Sequence, residues 1–151
     1  MSLPSGTAIP GALAATLAIA TAALPVGSTI WFGAELPAYA APLTFQITEI
    51  SGDQQPAEMG PGYRREEQSV LVCSLTFYQG GSPDFSTLLA SVMNAFVLLS
   101  QAIGNNPSLN GAVRVAQVGN FHISPATDVN GNSAVTLDFA IRCEQRVTSL
   151  T

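Results

Sequence analysis

The chain has 151 residues, of which 47% are hydrophobic and only 10% are charged, and its formal net charge is -5. This length and apolar content suit one domain with a hydrophobic core and exclude a disordered protein. The chain contains no lysine and five basic residues, so it cannot build the basic patch that holds nucleic acid by its phosphates. An ordinary soluble domain has about 25% charged residues. The length therefore predicts a single domain, residues 1–151, and the sparse charge predicts a surface that partner proteins cover.

The first long apolar segment, "AIPGALAATLAIATAALPVGSTI", has three interpretations. A membrane span would be flanked by Lys or Arg, and a signal peptide would begin with a positive region. Neither is present, although Ala38-Tyr39-Ala40 resembles a cleavage site. Pro10 suits a first helical turn and Pro25 ends a helix. We therefore predict a helix outside any membrane. Its predicted core stripe is Ile9, Leu13, Leu17, Ala20 and Leu24, with an alanine-rich opposite face that also packs against a surface.

Three strands are predicted next. "STIWF" and "LTFQITEI" have the composition and alternation of short strands, and "SGDQQPAEMGPGY" has the composition of a loop. A long strand then runs from Glu66 to Tyr78. Its alternation places Leu71, Cys73, Leu75 and Phe77 on one face, and Val70, Val72, Ser74 and Thr76 on the other.

A long helix is predicted from about Phe85 to Ile103, with Ser82 or Asp84 as its cap. Its apolar stripe consists of Phe85, Leu88, Leu89, Val92, Phe96, Leu99 and Ile103. The back of this helix carries Thr87, Asn94 and Gln101 together with Val97 and Leu98, and no charge. An exposed helix normally carries Lys and Glu there. We therefore expect Val97 and Leu98 to be buried against a neighbouring subunit.

The remaining third is predicted to be antiparallel β-structure. "AVRVAQV" and "FHIS" form two strands or one bent strand, and Asn130-Gly131 predicts a hairpin turn. In the last strand, Val135, Leu137, Phe139, Ile141 and Cys143 share one face. The fold class is accordingly α+β. We expect a largely antiparallel sheet with the N-terminal helix and the long central helix packed on one face.

The sequence contains no recognisable reactive centre. His122 is the only histidine, and no serine or cysteine elbow accompanies it. Cys73 and Cys143 are too few and too far apart for a metal site, although a disulfide between neighbouring strands remains open. Asp128, Asn130 and Asn132 imitate a calcium loop whose glycine and closing glutamate are absent. We expect no catalytic residue, metal or cofactor, and no enzyme activity.

Three segments in this order carry a family resemblance: "GPGYRREEQSVLVCSLTF", then "GGSPDF" before the long helix, then "NPSLNGAVRVAQV" after it. In nearly its whole length the chain resembles the tail terminator proteins of long, flexible-tailed bacteriophages. The helix surface is plainer than is usual in that family. The resemblance implies a ring, usually of six subunits, in the virion at the head-proximal end of the tail, after assembly in the host cytoplasm. The ring would stop growth of the tail tube protein, join the head–tail connector protein, and let DNA pass without specific binding.

The most specific parts of the resemblance are the run Arg64 to Glu67 and the segment "NPSLNGAVRVAQV" after the long helix. Alternation places Arg64 with Glu66 on one face and Arg65 with Glu67 on the other. An arginine fork binds a carboxylate through two hydrogen bonds, so we expect these arginines to reach the adjacent subunit or the tube. The predicted subunit or tube interface comprises Arg64, Arg65, Glu66, Glu67, Val97, Leu98, Asn130 and Gly131.

Two alternatives remain at this stage. Another head–tail connector or a tail-tube subunit would share the composition and much of the fold. An exported surface protein of actinobacterial type would instead be cleaved after Ala40 and would contain the disulfide.

Overall fold

The computed structural model describes residues 6–33, 43–56, 64–79, 84–127 and 133–148. Two helices and five strands follow one another in chain order. They are α1 (Ile9–Ala23), β1 (Thr29–Phe32), β2 (Leu43–Pro56), β3 (Arg64–Gln79), α2 (Phe85–Gly104), β4 (Val115–Thr127) and β5 (Ser133–Thr148). The hairpin turn predicted at Asn130-Gly131 lies outside the described residues; the flanking strands β4 and β5 pair from Thr127 with Ser133.

The five strands form one sheet in the order β1-β2-β3-β5-β4. Only β1 and β2 are parallel, and the other three pairs are antiparallel. The α+β class and the largely antiparallel sheet are therefore confirmed. Of the two alternatives for "AVRVAQV" and "FHIS", the structure has the single strand: β4 is continuous, and its register with β5 shifts between Val118 and Phe121.

One prediction about β2 is wrong. "SGDQQP" was expected to be a loop, but Ser51 to Pro56 continue the strand. The long β3 supplies their partners, from Val70 opposite Ser51 to Arg65 opposite Pro56. Ladder hydrogen bonds across a neighbouring strand override the weak strand propensity of this polar segment.

The hydrophobic core lies between the sheet and the two helices, which pack on the same face. The faces predicted for β3 and β5 are confirmed, with Leu71, Cys73, Leu75, Leu137 and Ile141 buried there. In α2, the core residues are Leu88, Val92, Ala95, Phe96, Leu99 and Ile103. Phe85 and Leu89, which were predicted to belong to this stripe, remain 39% and 37% exposed.

The core stripe predicted for α1 is also wrong in part. Leu13 and Leu17 are only half-buried, and the buried residues of the helix are Ala12, Ala15, Thr16, Ile19 and Ala20. Close packing of α1 on α2 and the sheet places the small residues inside, because bulky ones would hold the helix away. At the start of α1, Gly52 gives Ile9 room: a Cβ there would lie 2.9 Å from Ile9 Cδ1.

Candidate assembly surfaces

A charged cluster lies at the end of the sheet where β3 begins. Glu66 Oε1 accepts a hydrogen bond from Arg146 Nε at 2.8 Å and lies 3.4 Å from Arg114 Nη1. Arg114 Nη2 also binds Glu144 Oε2 at 3.2 Å. The hydrogen bond from Arg146, followed by the charges of both arginines, lowers the pKa of Glu66 below its usual value despite some desolvation. The two carboxylates and two guanidinium groups balance, so this cluster stabilises the pairing of β3, β5 and the start of β4.

Glu67 has a different role, on the core face of the same strand. It is 3% exposed and accepts hydrogen bonds from Ala8 N at 2.7 Å and Gln54 Nε2 at 2.6 Å. Gln54 Nε2 also donates to Gly6 O at 2.6 Å. A carboxylate at a helix N-terminus satisfies an otherwise unpaired N–H group and interacts favourably with the helix dipole. Glu67 therefore attaches the start of α1 to the sheet.

Both glutamates of the Arg-Arg-Glu-Glu run thus make contacts within the chain, Glu66 with Arg146 and Glu67 with the start of α1. The Nε atom of Arg65 is buried. Arg64 belongs to the strand, opposite Thr148. A role for these residues in an interface between copies stays a prediction.

The back of α2 carries the apolar side chains predicted for an interface. Val97 is 45% exposed, while Leu98 is half-buried. By length and apolarity alone α2 could cross a membrane. However, its other face is buried on the sheet at Leu88, Val92 and Leu99. No charged residue occurs in the 15 residues of α1 or the 20 residues of α2. We call these two helices the helical layer.

The sheet face opposite the helices, here the polar face, carries most charges of the described residues. They include Glu49, Asp53, Glu66, Asp138, Arg142, Glu144 and Arg146. A row of hydroxyl side chains crosses all five strands of this face in register: Thr29, Thr44, Thr76, Thr136 and Ser124. The hydroxyls of Thr76 and Thr136 are 3.2 Å apart.

A second row on the polar face brings together residues found in hydrolases. Ser74, Asp138 and His122 are neighbours across β3, β5 and β4. However, Ser74 Oγ donates its single hydrogen to Asp138 Oδ1 at 2.7 Å, so it cannot also donate to histidine as a nucleophilic serine does. Within the described ranges, no cluster of three or more His, Cys, Asp or Glu side chains could hold a metal ion.

The two cysteines are free thiols on the core face. Cys73 lies opposite Phe139 and Cys143 opposite Ser69, which separates them by four positions along the paired strands. Burial raises the pKa of Cys143 to about 11, although a hydrogen bond with Ser69 acts in the opposite direction. Burial also raises the pKa of Cys73, with a smaller contribution from Cys143. Both thiols are therefore unreactive parts of the core in the folded protein.

Both edges of the sheet expose large apolar side chains that the sequence analysis did not single out. At the β1 edge, Phe32 is 49% exposed, and at the β4 edge, Phe121 is 51% exposed. Beside β4, a groove of about 270 Å³ is lined by Phe85, Ser86, Leu89, Ile123, Pro125 and Val135. We call it the edge groove. These side chains are identified by the order of the strands in the sheet. Alternation in the sequence shows on which face of a sheet a side chain lies, but it does not show whether the strand lies at an edge.

The partners Arg114, Glu144 and Arg146 were also missed as members of the charged cluster. The alternation of the last strand predicts that Glu144 lies on the face opposite the core. However, only the register of β3 with β5 shows that Glu144 lies near Glu66. No protein-family model matches this chain, and no curated protein matches it.

Proposed function

We propose that this protein is a structural subunit of a phage tail: a tail terminator that assembles into a closed ring. The ring caps the tail tube, ends its polymerisation and joins the tail to the head connector. The observation that carries the proposal is the uncharged helical layer, which spans the whole of α1 and α2. A chain that must stay soluble alone places charge on exposed helices, whereas a chain covered by copies and partners has no such need.

The exposed side chains of the helical layer support this proposal. Pro10, Gly11, Ala14, Ala18 and Ala22 are small or apolar and exposed on α1. On α2, Val97 is exposed among Asn94 and Gln101. Small side chains let a neighbouring backbone approach closely, and neutral polar ones bring no unpaired charge into an interface. In the ring we expect Val97 and Leu98 to face another subunit.

The charge distribution suits a conduit for DNA. The chain has net charge -5, and exposed acids such as Glu49, Asp53 and Asp138 lie on the polar face. A polymer of like charge is repelled and slides past such a surface, whereas clustered Lys and Arg would hold it. We therefore propose passage of DNA without specific binding.

Negative-stain electron microscopy of the purified 15.6 kDa chain tests the proposal. We expect closed rings of uniform diameter, and we expect added rings to stop the elongation of tail tubes in vitro. Long tubes formed by the chain alone would favour a tail-tube subunit instead. A chain that stays monomeric, or rings without effect on tube length, would overturn the proposal.

A further inference from the structure

The two sheet edges match each other in length. The register shift between Val118 and Phe121 interrupts the regular pairing of β4 with β5, and Pro125 removes a backbone donor near the end of β4. Between them, β4 presents the regular stretch from Phe121 to Ser124. At the opposite edge, β1 is four residues long, from Thr29 to Phe32. Among the described residues no further strand pairs with β1 or β4. The outer side of an edge strand is a template for another strand.

The edges also match in direction and face. β1 is parallel to β2, and three antiparallel steps then lead to β4, so β1 and β4 run in opposite directions. A second copy that continues the sheet in the same orientation therefore places its β1 antiparallel to β4. Ile30 and Phe32 pair with the buried Phe45 and Ile47, so they lie on the core face. Phe121 lies on this face too, opposite Phe139.

We propose that copies of this chain join head to tail through these edges, with β1 of one copy paired with β4 of the next. Antiparallel pairing that keeps core-face residues together and pairs all four residues of β1 with the stretch from Phe121 to Ser124 gives one register. Phe32 lies opposite Phe121, Trp31 opposite His122, Ile30 opposite Ile123, and Thr29 opposite Ser124. Ile30 then lies at the edge groove, opposite Ile123, with Phe32 beside it. Thr29 continues the hydroxyl row of the polar face into the next copy. The inference rests on the proposed ring and names the contact that builds it.

Charge and area favour a second copy as the occupant. β1 and β4 contain no Asp, Glu, Lys or Arg, and neither does the lining of the edge groove, so the contact buries no unpaired charge. Phe32, Phe121, Phe85, Trp31 and Leu89 are each between 37% and 51% exposed. A half-exposed large side chain offers on the order of 100 Å². Together they supply about a third of the ~1,600 Å² of a standard interface, as its apolar centre.

Complementary variants test this contact. Phe32→Glu blocks the β1 edge, and Phe85→Glu blocks the edge groove while placing an acid in the first turn of α2, where the helix tolerates it. We expect each variant alone to be a folded monomer by light scattering and circular dichroism. An equimolar mixture should form a 1:1 heterodimer, because one intact pair of edges remains. Gln68→Glu adds the same charge to the central strand β3 and should assemble like the wild type.

A cysteine pair tests the register. Thr29→Cys combined with Ser124→Cys should form intermolecular disulfides on mild oxidation, because opposed Cα atoms lie about 4.5–5.5 Å apart. Thr29→Cys with Asn94→Cys should not. Edge variants that assemble normally, or a mixture that stays monomeric while the wild type forms rings, would overturn the edge contact and leave the ring standing. A wild-type chain that stays monomeric at millimolar concentration would overturn both proposals.

Discussion

The helical layer and the polar face are opposite surfaces of one small domain, and they differ in the number of charged side chains that they carry. The polar face carries paired charges and a row of hydroxyls in register across five strands. The helical layer has no charge in α1 or α2, although Val97, Phe85 and Leu89 are all more than a third exposed. One surface can face water as it stands, and we propose that the other is covered by a partner.

Packing in the interior of the domain does not require this difference in charge between the two surfaces. Exposed positions on the back of α2 contribute nothing to its packing on the sheet, so Lys or Glu would be tolerated there at little cost in stability. Their absence from both helices is therefore better explained by a requirement outside the subunit.

The largest effect is expected when a charge is placed in the helical layer. Val97→Glu should dissociate the assembly, because a carboxylate buried between subunits without a partner costs several kcal/mol. The side chain is 45% exposed in the subunit, so the melting temperature of the monomer should change little. Light scattering and thermal unfolding measure the two effects. Gln68→Glu on the polar face is the matched control, and equal behaviour of the two variants would contradict a covered helical layer.

A smaller effect is expected at the attachment of α1. Glu67→Ala removes the acceptor for Ala8 N and Gln54 Nε2 inside the protein. Loss of buried hydrogen bonds to a charged group should lower the free energy of unfolding by about 2–3 kcal/mol. Urea denaturation measures this loss, and hydrogen exchange should quicken first at the start of α1. Glu66→Gln, on the polar face of the same strand, should cost less than about 1 kcal/mol. An unchanged exchange pattern in Glu67→Ala would contradict the attachment role.

The charged cluster should give a modest pH dependence. The hydrogen bond from Arg146 lowers the pKa of Glu66 in the folded state below its ordinary value of 4.5. The cluster therefore stabilises the protein fully above that value, and the stabilisation is lost as the pH falls through the lower, folded pKa. The stability difference between wild type and Glu66→Gln should shrink in urea titrations below pH 4.5 and also at high salt. A difference that stays constant from neutral to acidic pH would rule out this contribution.

The smallest effect is expected from the thiols. Because burial raises the pKa of Cys143 to about 11, the reactive thiolate is scarce at neutral pH. Alkylation of the native protein should be slow at both cysteines and should become rapid in denaturant. Reducing agent should leave assembly unchanged, because neither thiol reaches the surface. Rapid labelling of the native protein would show that the core opens near Cys73 or Cys143.

The charged cluster shows what a sequence pattern leaves open. Alternation correctly assigned Leu71 and Cys73 to the core face of β3, because a strand with one buried face must repeat every second residue. The same alternation placed Arg64 with Glu66, yet the partners of Glu66 are Arg114 and Arg146. Cross-strand partners depend on register, and register is set by the pairing of segments far apart in the chain.

The sequence by itself determined the fold class, the long helix and the alternating strands, since these follow from local periodicity and turn residues. It also determined the scarcity of charge. Tertiary structure decided which residues meet: it extended β2 through Ser51–Pro56 along β3, and it buried the small residues of α1 instead of Leu13 and Leu17. It also made β1 and β4 the edges of the sheet. These outcomes depend on contacts between distant segments, whose free energy outweighs the propensity of any single segment.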